Sequence, residues 1–346
     1  MNAPASVELA PEELVKLGPA RLLVRVRSIT YAAENINLYE VTDPGGNVLP
    51  AFTAGSHVDL YFRDRRVRQY SLCNDPAEVG RYVFAVQREA EGRGGSRAIF
   101  ERVHVGRILT ISEPRNQFPL AADARSHLLI AGGIGITPMM AMIYALRASG
   151  GDYELHYCTR SAARTAFVEE LEPELRSGRA RIHHDGGDPS RGADFRALLE
   201  RPEPGRHLYY CGPKSFMAAV RALAAHWPGD SVHFESFTTA DDSATHSPGA
   251  TESSIGSEIP VGFQVQLARS GITLDVPNDK SILQVVREHG IDVPSSCESG
   301  LCGTCRTRYL EGVPEHRDYV LDDDERARDV LICCARSRTP VLVLDL

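Results

Sequence analysis

Residues 296–305 read Ser-Cys-Glu-Ser-Gly-Leu-Cys-Gly-Thr-Cys, and 27 residues further on an apolar run ends in Cys333-Cys334. Cys297-x4-Cys302-x2-Cys305 with a remote fourth cysteine is the spacing of a plant-type [2Fe–2S] site. Three thiolates reaching one cluster from nine residues need a backbone that wraps tightly. Gly300 and Gly303 supply residues that tolerate positive φ and let N–H groups approach the sulfides. The fourth thiolate has two candidates. Read as the end of a strand, Cys333 and Cys334 face opposite ways, so one of them serves. A zinc site would show two short Cys-x2-Cys pairs, and this chain has one. A disulfide framework needs an oxidising compartment. The acidic start, residues 1–14, lacks the basic and apolar regions of a signal peptide, and no apolar run approaches the ~20 residues of a membrane span. The protein is therefore expected in the cytoplasm, with no membrane partner.

The cysteine loop belongs to a compact unit, 261–346, of strands, one helix and the loop. Before it, residues 238–260 read TTADDSATHSPGATESSIGSEIP, with no aromatic residue. Such a stretch buries too little apolar area to offset its ordering entropy and reads as a flexible linker. The whole chain of 346 residues is too long for one core. Its net charge of −8 argues against nucleic acid as a partner. That charge is uneven: residues 1–237 carry 28 basic and 28 acidic groups, 238–260 carry 0 and 4, and 261–346 carry 10 and 14. An acidic third unit suggests docking on a basic partner face, although runs such as Asp322-Asp323-Asp324-Glu325 also open solvated helices.

Two textures precede the linker. Residues 21–120 hold short β-like runs at 22–29, 36–42, 57–62, 82–88 and 107–112, separated by Gly, Pro and Asn-Asp signals, which predicts an antiparallel barrel. Residues 121–237 alternate short apolar strands (127–131, 153–158, 180–184, 207–211, 231–235) with helical patterns at 137–148, 163–175 and 213–226. That alternation predicts a parallel sheet with crossover helices. Residues 1–20 form an N-terminal extension. Cys73 and Cys158 read as small core residues.

Glycine-rich turns mark this second domain. Gly132-Gly133-Ile134-Gly135-Ile136-Thr137-Pro138-Met139 follows a strand, with Thr137 expected as N-cap and Pro138 as the first helical residue. A glycine turn there lets backbone approach a pyrophosphate at a helix N-terminus. Cys211-Gly212-Pro213 ends another strand of the same sheet, and ligands bind outside the carboxyl ends of such strands. In the first domain, the basic segment ending Arg68-Gln69-Tyr70-Ser71 and the loop Gly92-Arg93-Gly94-Gly95-Ser96 offer guanidinium groups and amides suited to a phosphate. Read blandly, they are a charged edge strand and a loop.

Taken in order, Arg68-x-Tyr70-Ser71, Gly94-Gly95-Ser96, GGIGITPM at 132–139, CGP at 211–213, HFESF at 233–237, the cysteine spacing, PEHRD at 314–318 and LVLDL at 342–346 resemble the phthalate dioxygenase reductase family. That family lies within the ferredoxin–NADP reductase superfamily, and the resemblance runs over residues 20–346. It implies a barrel that binds FMN, an α/β domain that binds NADH, and an α+β ferredoxin domain of the β-grasp type. It implies a monomeric reductase that passes electrons to a Rieske-type aromatic-ring dioxygenase or O-demethylase; a cytochrome P450 or another one-electron acceptor is the alternative. By position, Arg68, Tyr70 and Ser71 line the flavin, with Ser71 near its N5 edge, and Gly94, Gly95 and Ser96 hold its phosphate. Gly133, Gly135, Thr137, Cys211 and Gly212 face the dinucleotide. Phe237 stacks on the flavin ring, so that Ser71, Cys211 and Phe237 flank the reacting atoms. The resemblance assigns the fourth iron ligand to Cys333, beside Cys297, Cys302 and Cys305. The preference for NADH over NADPH also follows from the resemblance.

Overall fold

The computed structural model describes residues 21–62, 67–89, 95–237, 262–278, 280–291, 293–295, 300, 303–318, 321 and 323–346. The expected extension and linker lie outside these residues, as do Gly94, Cys297 and Cys302. The chain divides into two compact units, Met1–Ser236 and Phe237–Leu346.

The first unit opens with an antiparallel sheet: β1 (Arg21–Ala33), β2 (Ile36–Thr42), β3 (Ser56–Tyr61), β4 (Val67–Ser71), β5 (Arg81–Gln87), β6 (Ile108–Ser112) and the short β7 (Arg115–Asn116). Alternation in β1 sends Val24 and Val26 inward while Leu23 and Arg25 face out, which is what a two-residue period does for a half-buried strand. The strand order is β4-β3-β6-β1-β2-β5, with β7 on β3. The two end strands meet: Leu72 bridges Phe84, and the Cys73 N–H donates to the Val83 carbonyl at 2.9 Å. The sheet thus closes into a barrel. Its interior holds Val41, Leu60, Ile111 and the ring cluster of Tyr39, Tyr70 and Phe84. Helix α1 (Gly95–Arg102) plugs one end with Ile99.

The second sheet is parallel throughout, in the order β10-β9-β8-β11-β12. Its strands are β8 (Ser126–Gly132), β9 (Asp152–Thr159), β10 (Ala180–His184), β11 (Arg206–Cys211) and β12 (Val232–Glu235). Parallel strands covered on both faces read as continuous apolar runs, and β8 and β11 are buried from their second residue onward. Strand order reverses between β8 and β11, so both glycine turns sit at one switch point. Helices α2 (Ile136–Ser149), α3 (Glu172–Ser177), α4 (Phe195–Leu199) and α5 (Lys214–Leu223) make or flank the crossovers.

Two local expectations are corrected. Thr137 is not the N-cap: a 3-10 turn at Gly133–Gly135 leads into α2, Gly135 stands at the cap, and the buried Thr137 hydroxyl donates to the Ile134 carbonyl at 3.0 Å. The pattern at 163–175 is not one helix. A 3-10 turn at Ala162–Arg164 is followed by Phe167 at φ 62°, and α3 begins at Glu172 ahead of Pro173. A buried aromatic in the left-handed region stops any helix that would run through it.

The second unit has the sheet order β14-β13-β19-β15-β17, with strands β13 (Phe263–Leu267), β14 (Ile272–Val276), β15 (Arg306–Glu311), β17 (Asp329–Leu331) and β19 (Val341–Leu344). The small pair β16 (Pro314–Glu315) and β18 (Arg336–Ser337) lies beside it, and α7 is one turn at Asp323–Arg326. β13 runs antiparallel to β14 and parallel to β19, so one helix, α6 (Ile282–Glu288), crosses the face of the sheet. This is a β-grasp arrangement. A capping box starts α6: Ser281 Oγ accepts the Gln284 N–H, and Gln284 Oε1 accepts the Ser281 N–H. Ile282, Leu283, Val285 and Val286 fill the core against Val265, Leu342 and Leu344.

One of the closest backbone approaches in the first unit lies at the switch point. A Cβ on Gly135 would stand 2.2 Å from the Cys211 carbonyl oxygen, which is backbone and cannot rotate away. Gly135→Ala is expected to destabilise by about 1–3 kcal/mol. Gly46→Ala faces open space at φ 81° and bears only the cost of its backbone conformation, on the order of 1 kcal/mol. Denaturant unfolding of the two variants checks the order; equal losses would contradict the close approach.

Candidate functional site

The carboxyl ends of β11 and β12 abut the end of β4, and four polar side chains from the barrel and the parallel sheet meet there. Ser71 is the last residue of β4 and is 2% exposed; its Oγ donates to Glu235 Oε2 at 2.8 Å. Glu235 is the last residue of β12 and pairs in register with Cys211, the last residue of β11. His57 on β3 sits opposite Ser71 in register and places its Nδ1 3.8 Å from Glu235 Oε1. Strand ends converge here because a parallel sheet directs all its carboxyl termini to one edge and the β3–β4 corner of the barrel closes against that edge. Further along the same seam, the Glu34 N–H donates to the Ala163 carbonyl at 2.7 Å, and Arg164 pairs with Glu34.

Burial sets the protonation of these groups. Desolvation pushes the Glu235 carboxyl up to about 7, and the Ser71 hydrogen bond opposes this only in part. Burial, and then the neighbouring Glu235 charge, push the Cys211 thiol well up, so it stays a thiol. Burial, reinforced by Arg115, pushes the His57 imidazole down to about 3, which leaves it neutral. A carboxyl poised near neutrality beside a hydroxyl can take up or release a proton through that hydroxyl.

Of the residues expected at the flavin, Tyr70 stacks its ring obliquely on Phe84 at 5.4 Å, and burial raises its phenol. Arg68 lies against the start of α1: a Cβ on Gly95 would meet Arg68 Nε at 2.8 Å. The guanidinium thus stands at a helix N-terminus whose first residue has no side chain, and Ser96 is next, its Oγ accepting the Glu89 N–H at 3.1 Å. This donor set suits a phosphate. Gly133, at φ 54°, has open space where a Cβ would be. Gly135 packs on Cys211, and a Cβ on Gly212 would meet Phe216 at 2.6 Å, so these two glycines serve packing within the turn. Thr137 turns its hydroxyl to the backbone. Phe237 opens the second unit and is half-buried.

In the second unit, Cys305 immediately precedes β15 and Cys333 follows β17 by two residues; each is 2% exposed. These strands pair with Arg306 opposite Leu331, so both thiols emerge at one end of the pair. The two adjacent cysteines lie in a turn rather than at the end of a strand. Cys333 points into the core, and Cys334, half-buried, lies against Gly300. At φ 77°, with a would-be Cβ 2.7 Å from Cys334 Sγ, Gly300 admits no side chain. Two buried thiols beside glycine-lined backbone are the donors an iron–sulfur cluster requires. Glu235 and His57 were not singled out by sequence. Glu235 stands inside the HFESF motif, one strand from Cys211-Gly212-Pro213, and that adjacency was the available signal.

Residues 265–338 match the model of the 2Fe-2S iron-sulfur cluster binding domain. The chain is 54% identical over 329 residues to the tert-butanol monooxygenase / tert-amyl alcohol desaturase reductase subunit of Aquincola tertiaricarbonis, covering 94% of this chain and 96% of that one. Among solved structures it is similar to phthalate dioxygenase reductase, described as modular for electron transfer from pyridine nucleotides to [2Fe–2S] (42% identity, TM-score 0.72, 94% and 98% of the two chains). It is also similar to part of an intact type IV self-sufficient cytochrome P450 monooxygenase (38% identity, TM-score 0.75, 94% of this chain and 41% of that one). With relatives this similar along nearly its whole length, the chain belongs to the phthalate dioxygenase reductase family of oxygenase reductase subunits.

Proposed function

We propose that this reductase takes electrons from NADH, passes them through FMN and a [2Fe–2S] cluster, and delivers them singly, as a cytoplasmic monomer, to a Rieske-type oxygenase. The observation that carries this reading is the union in one chain of a 2Fe-2S domain and a barrel whose Ser71 meets the switch-point edge of a parallel sheet. The domain division proposed is 21–120 for flavin, 121–237 for nucleotide and 261–346 for the cluster.

When bound, a flavin accepts a hydride and releases electrons one at a time, which bridges a two-electron donor and a one-electron cluster. The chain's own groups position, shield and handle protons. Arg68 with the amides of Gly95 and Ser96 would hold the flavin phosphate. Gly133 and the start of α2 would receive the dinucleotide pyrophosphate, and Thr137 keeps that turn in shape. Cys211, small and uncharged, would leave room for the nicotinamide beside the flavin, and Phe237 would cover the ring. Ser71 would bond the flavin N5 edge, and Glu235 behind it would hold or accept the proton that must leave as electrons depart singly. Cys297, Cys302, Cys305 and Cys333 would bind the irons.

The relative named for tert-butanol widens the expected substrates of the partner oxygenase beyond aromatic rings. A second reading, a haem-protein acceptor, is supported by the likeness to a self-sufficient cytochrome P450. Reconstitution with purified candidate oxygenases separates the two, and turnover with a P450 but with no Rieske protein would replace the first. If the acidic surplus of residues 261–346 docks on a basic face, electron delivery slows as ionic strength rises; a rate independent of salt would remove that docking.

Cys333→Ser is expected to lose the cluster, whereas Cys334→Ser keeps it. Iron content and the visible spectrum report this, and NADH should still bleach the flavin of the cluster-free variant. Retention of iron by Cys333→Ser with loss in Cys334→Ser would reverse the ligand assignment.

Glu235 gives a signed pH prediction. Its pKa is raised from 4.5 to about 7, so the native state binds the extra proton in this window and the group's stabilising contribution is complete below about 4.5. That contribution is lost as pH rises through about 7, a change of about 3 kcal/mol. Glu235→Gln lacks this loss. The difference in unfolding free energy between wild type and Glu235→Gln should therefore fall with pH across that window, and a flat difference would contradict the buried carboxyl.

A further inference from the structure

His57 is 1% exposed, and neither ring nitrogen has a hydrogen-bond partner among the described residues. Leaving two buried polar atoms unpaired is costly, at roughly 1–3 kcal/mol each. A carboxylate oxygen, Glu235 Oε1, lies 3.8 Å from Nδ1, about one ångström beyond a hydrogen bond, while the other oxygen of that carboxyl is bonded by Ser71.

We propose that His57 is a positioning residue for Glu235: its imidazole N–H turns to Oε1 and, together with the Ser71 hydroxyl on Oε2, holds the carboxyl in its ionised form. This rests on the reading of Ser71 as the neighbour of the flavin N5 edge. The consequence lies in the single hydrogen of the Ser71 hydroxyl. With Glu235 ionised, that hydrogen is donated to the carboxylate, which the 2.8 Å separation of Ser71 Oγ from Glu235 Oε2 accommodates, and Ser71 can only accept from the flavin edge. With Glu235 protonated, its own O–H can donate to Ser71, which frees the hydroxyl hydrogen for the flavin. His57 thereby sets the pH at which Ser71 changes from acceptor to donor.

The surroundings admit this role and oppose the alternative of a charged imidazole. The groups facing the carboxyl are Ser71 from β4, His57 from β3 and Cys211 from β11. Arg115 of β7 lies opposite His57 in register and is paired with Asp59. Its positive charge and the burial of the ring both disfavour imidazolium, so His57 acts as a neutral donor rather than a counter-ion. An N–H donor that stays neutral stabilises the carboxylate without making a fixed ion pair, which leaves Glu235 able to titrate.

The test uses the flavin-loaded, cluster-loaded protein labelled with carboxyl-¹³C glutamate and ¹⁵N histidine, the Glu235 resonance being assigned by its loss in Glu235→Gln. His57→Phe should raise the proton affinity of Glu235 by roughly ten- to a hundredfold, a midpoint shift of about one to two pH units. His57→Asn, which retains an N–H donor, should shift it less. In wild type, the His57 ring nitrogens should shift at the same pH as Glu235 titrates. A Glu235 midpoint unmoved in His57→Phe, or His57 nitrogens silent through that titration, would overturn the proposal, and the wild-type signals decide if the variant does not fold. The pH dependence of the flavin midpoint potential is read separately, in Glu235→Gln. If that variant leaves it unchanged, the placement of Ser71 at the flavin fails, whichever way the histidine result falls.

Discussion

A carboxyl group buried at the end of a strand is tolerable only if something satisfies it, and in this protein the bond from Ser71 Oγ to Glu235 Oε2 does so. The two residues are 164 positions apart and end strands of different sheets. Their meeting requires the β3–β4 corner of the barrel to close on the carboxyl edge of the parallel sheet. The same edge carries the Gly133–Gly135 turn and Cys211, so the contact that buries the carboxyl also brings barrel residues beside that glycine turn. A site for passing charge between two bound rings needs that proximity, and a seam of strand ends provides it without a loop that must close.

Much of this was legible in the chain because its signals are local. β2 and β10 fall on the residues expected from sequence, and the other strands expected for the first unit lie within a few residues of their runs. Short apolar runs between turn residues are strong signals when a sheet buries both faces, as with β8 and β11. Barrel closure was a different matter. The Leu72–Phe84 bridge joins the two end strands and depends on the accumulated twist of six strands, which no window of sequence contains. The helix expected at 163–175 failed for a local reason that tertiary packing created: the Phe167 side chain is buried with its backbone at φ 62°, and the helical period alone does not reveal that choice. Thr137 was misread because its hydroxyl had a nearer partner in the preceding 3-10 turn.

The site divides along the same line. Ser71, Cys211 and the glycine turns announce themselves through motifs whose residue types are tied to local backbone needs. Glu235 and His57 carry no such mark. A lone glutamate ending one strand and a lone histidine within another come together only when two sheets meet, so their proximity is visible only in distances and burial.

The second unit applies the same economy to its buried cysteines. Cys305 and Cys333 are 28 positions apart, yet the antiparallel pairing of Arg306 with Leu331 sets them at one end of a two-strand ladder. The side-chain period of a strand is two, so a slip of one residue in that register would exchange the inward and outward faces and carry Cys333 away from Cys305. The core prevents it: Val330 and Leu331 are fully buried, and the Leu283 N–H of α6 donates to the Ile332 carbonyl at 2.9 Å. The spacing between cysteines in the sequence is therefore less informative about where Cys333 stands than the hydrophobic pattern around it. Cys333 rather than Cys334 reaches inward because the turn after β17 buries the first and leaves the second against Gly300, and that glycine, with no side chain, is what makes room for the second sulfur.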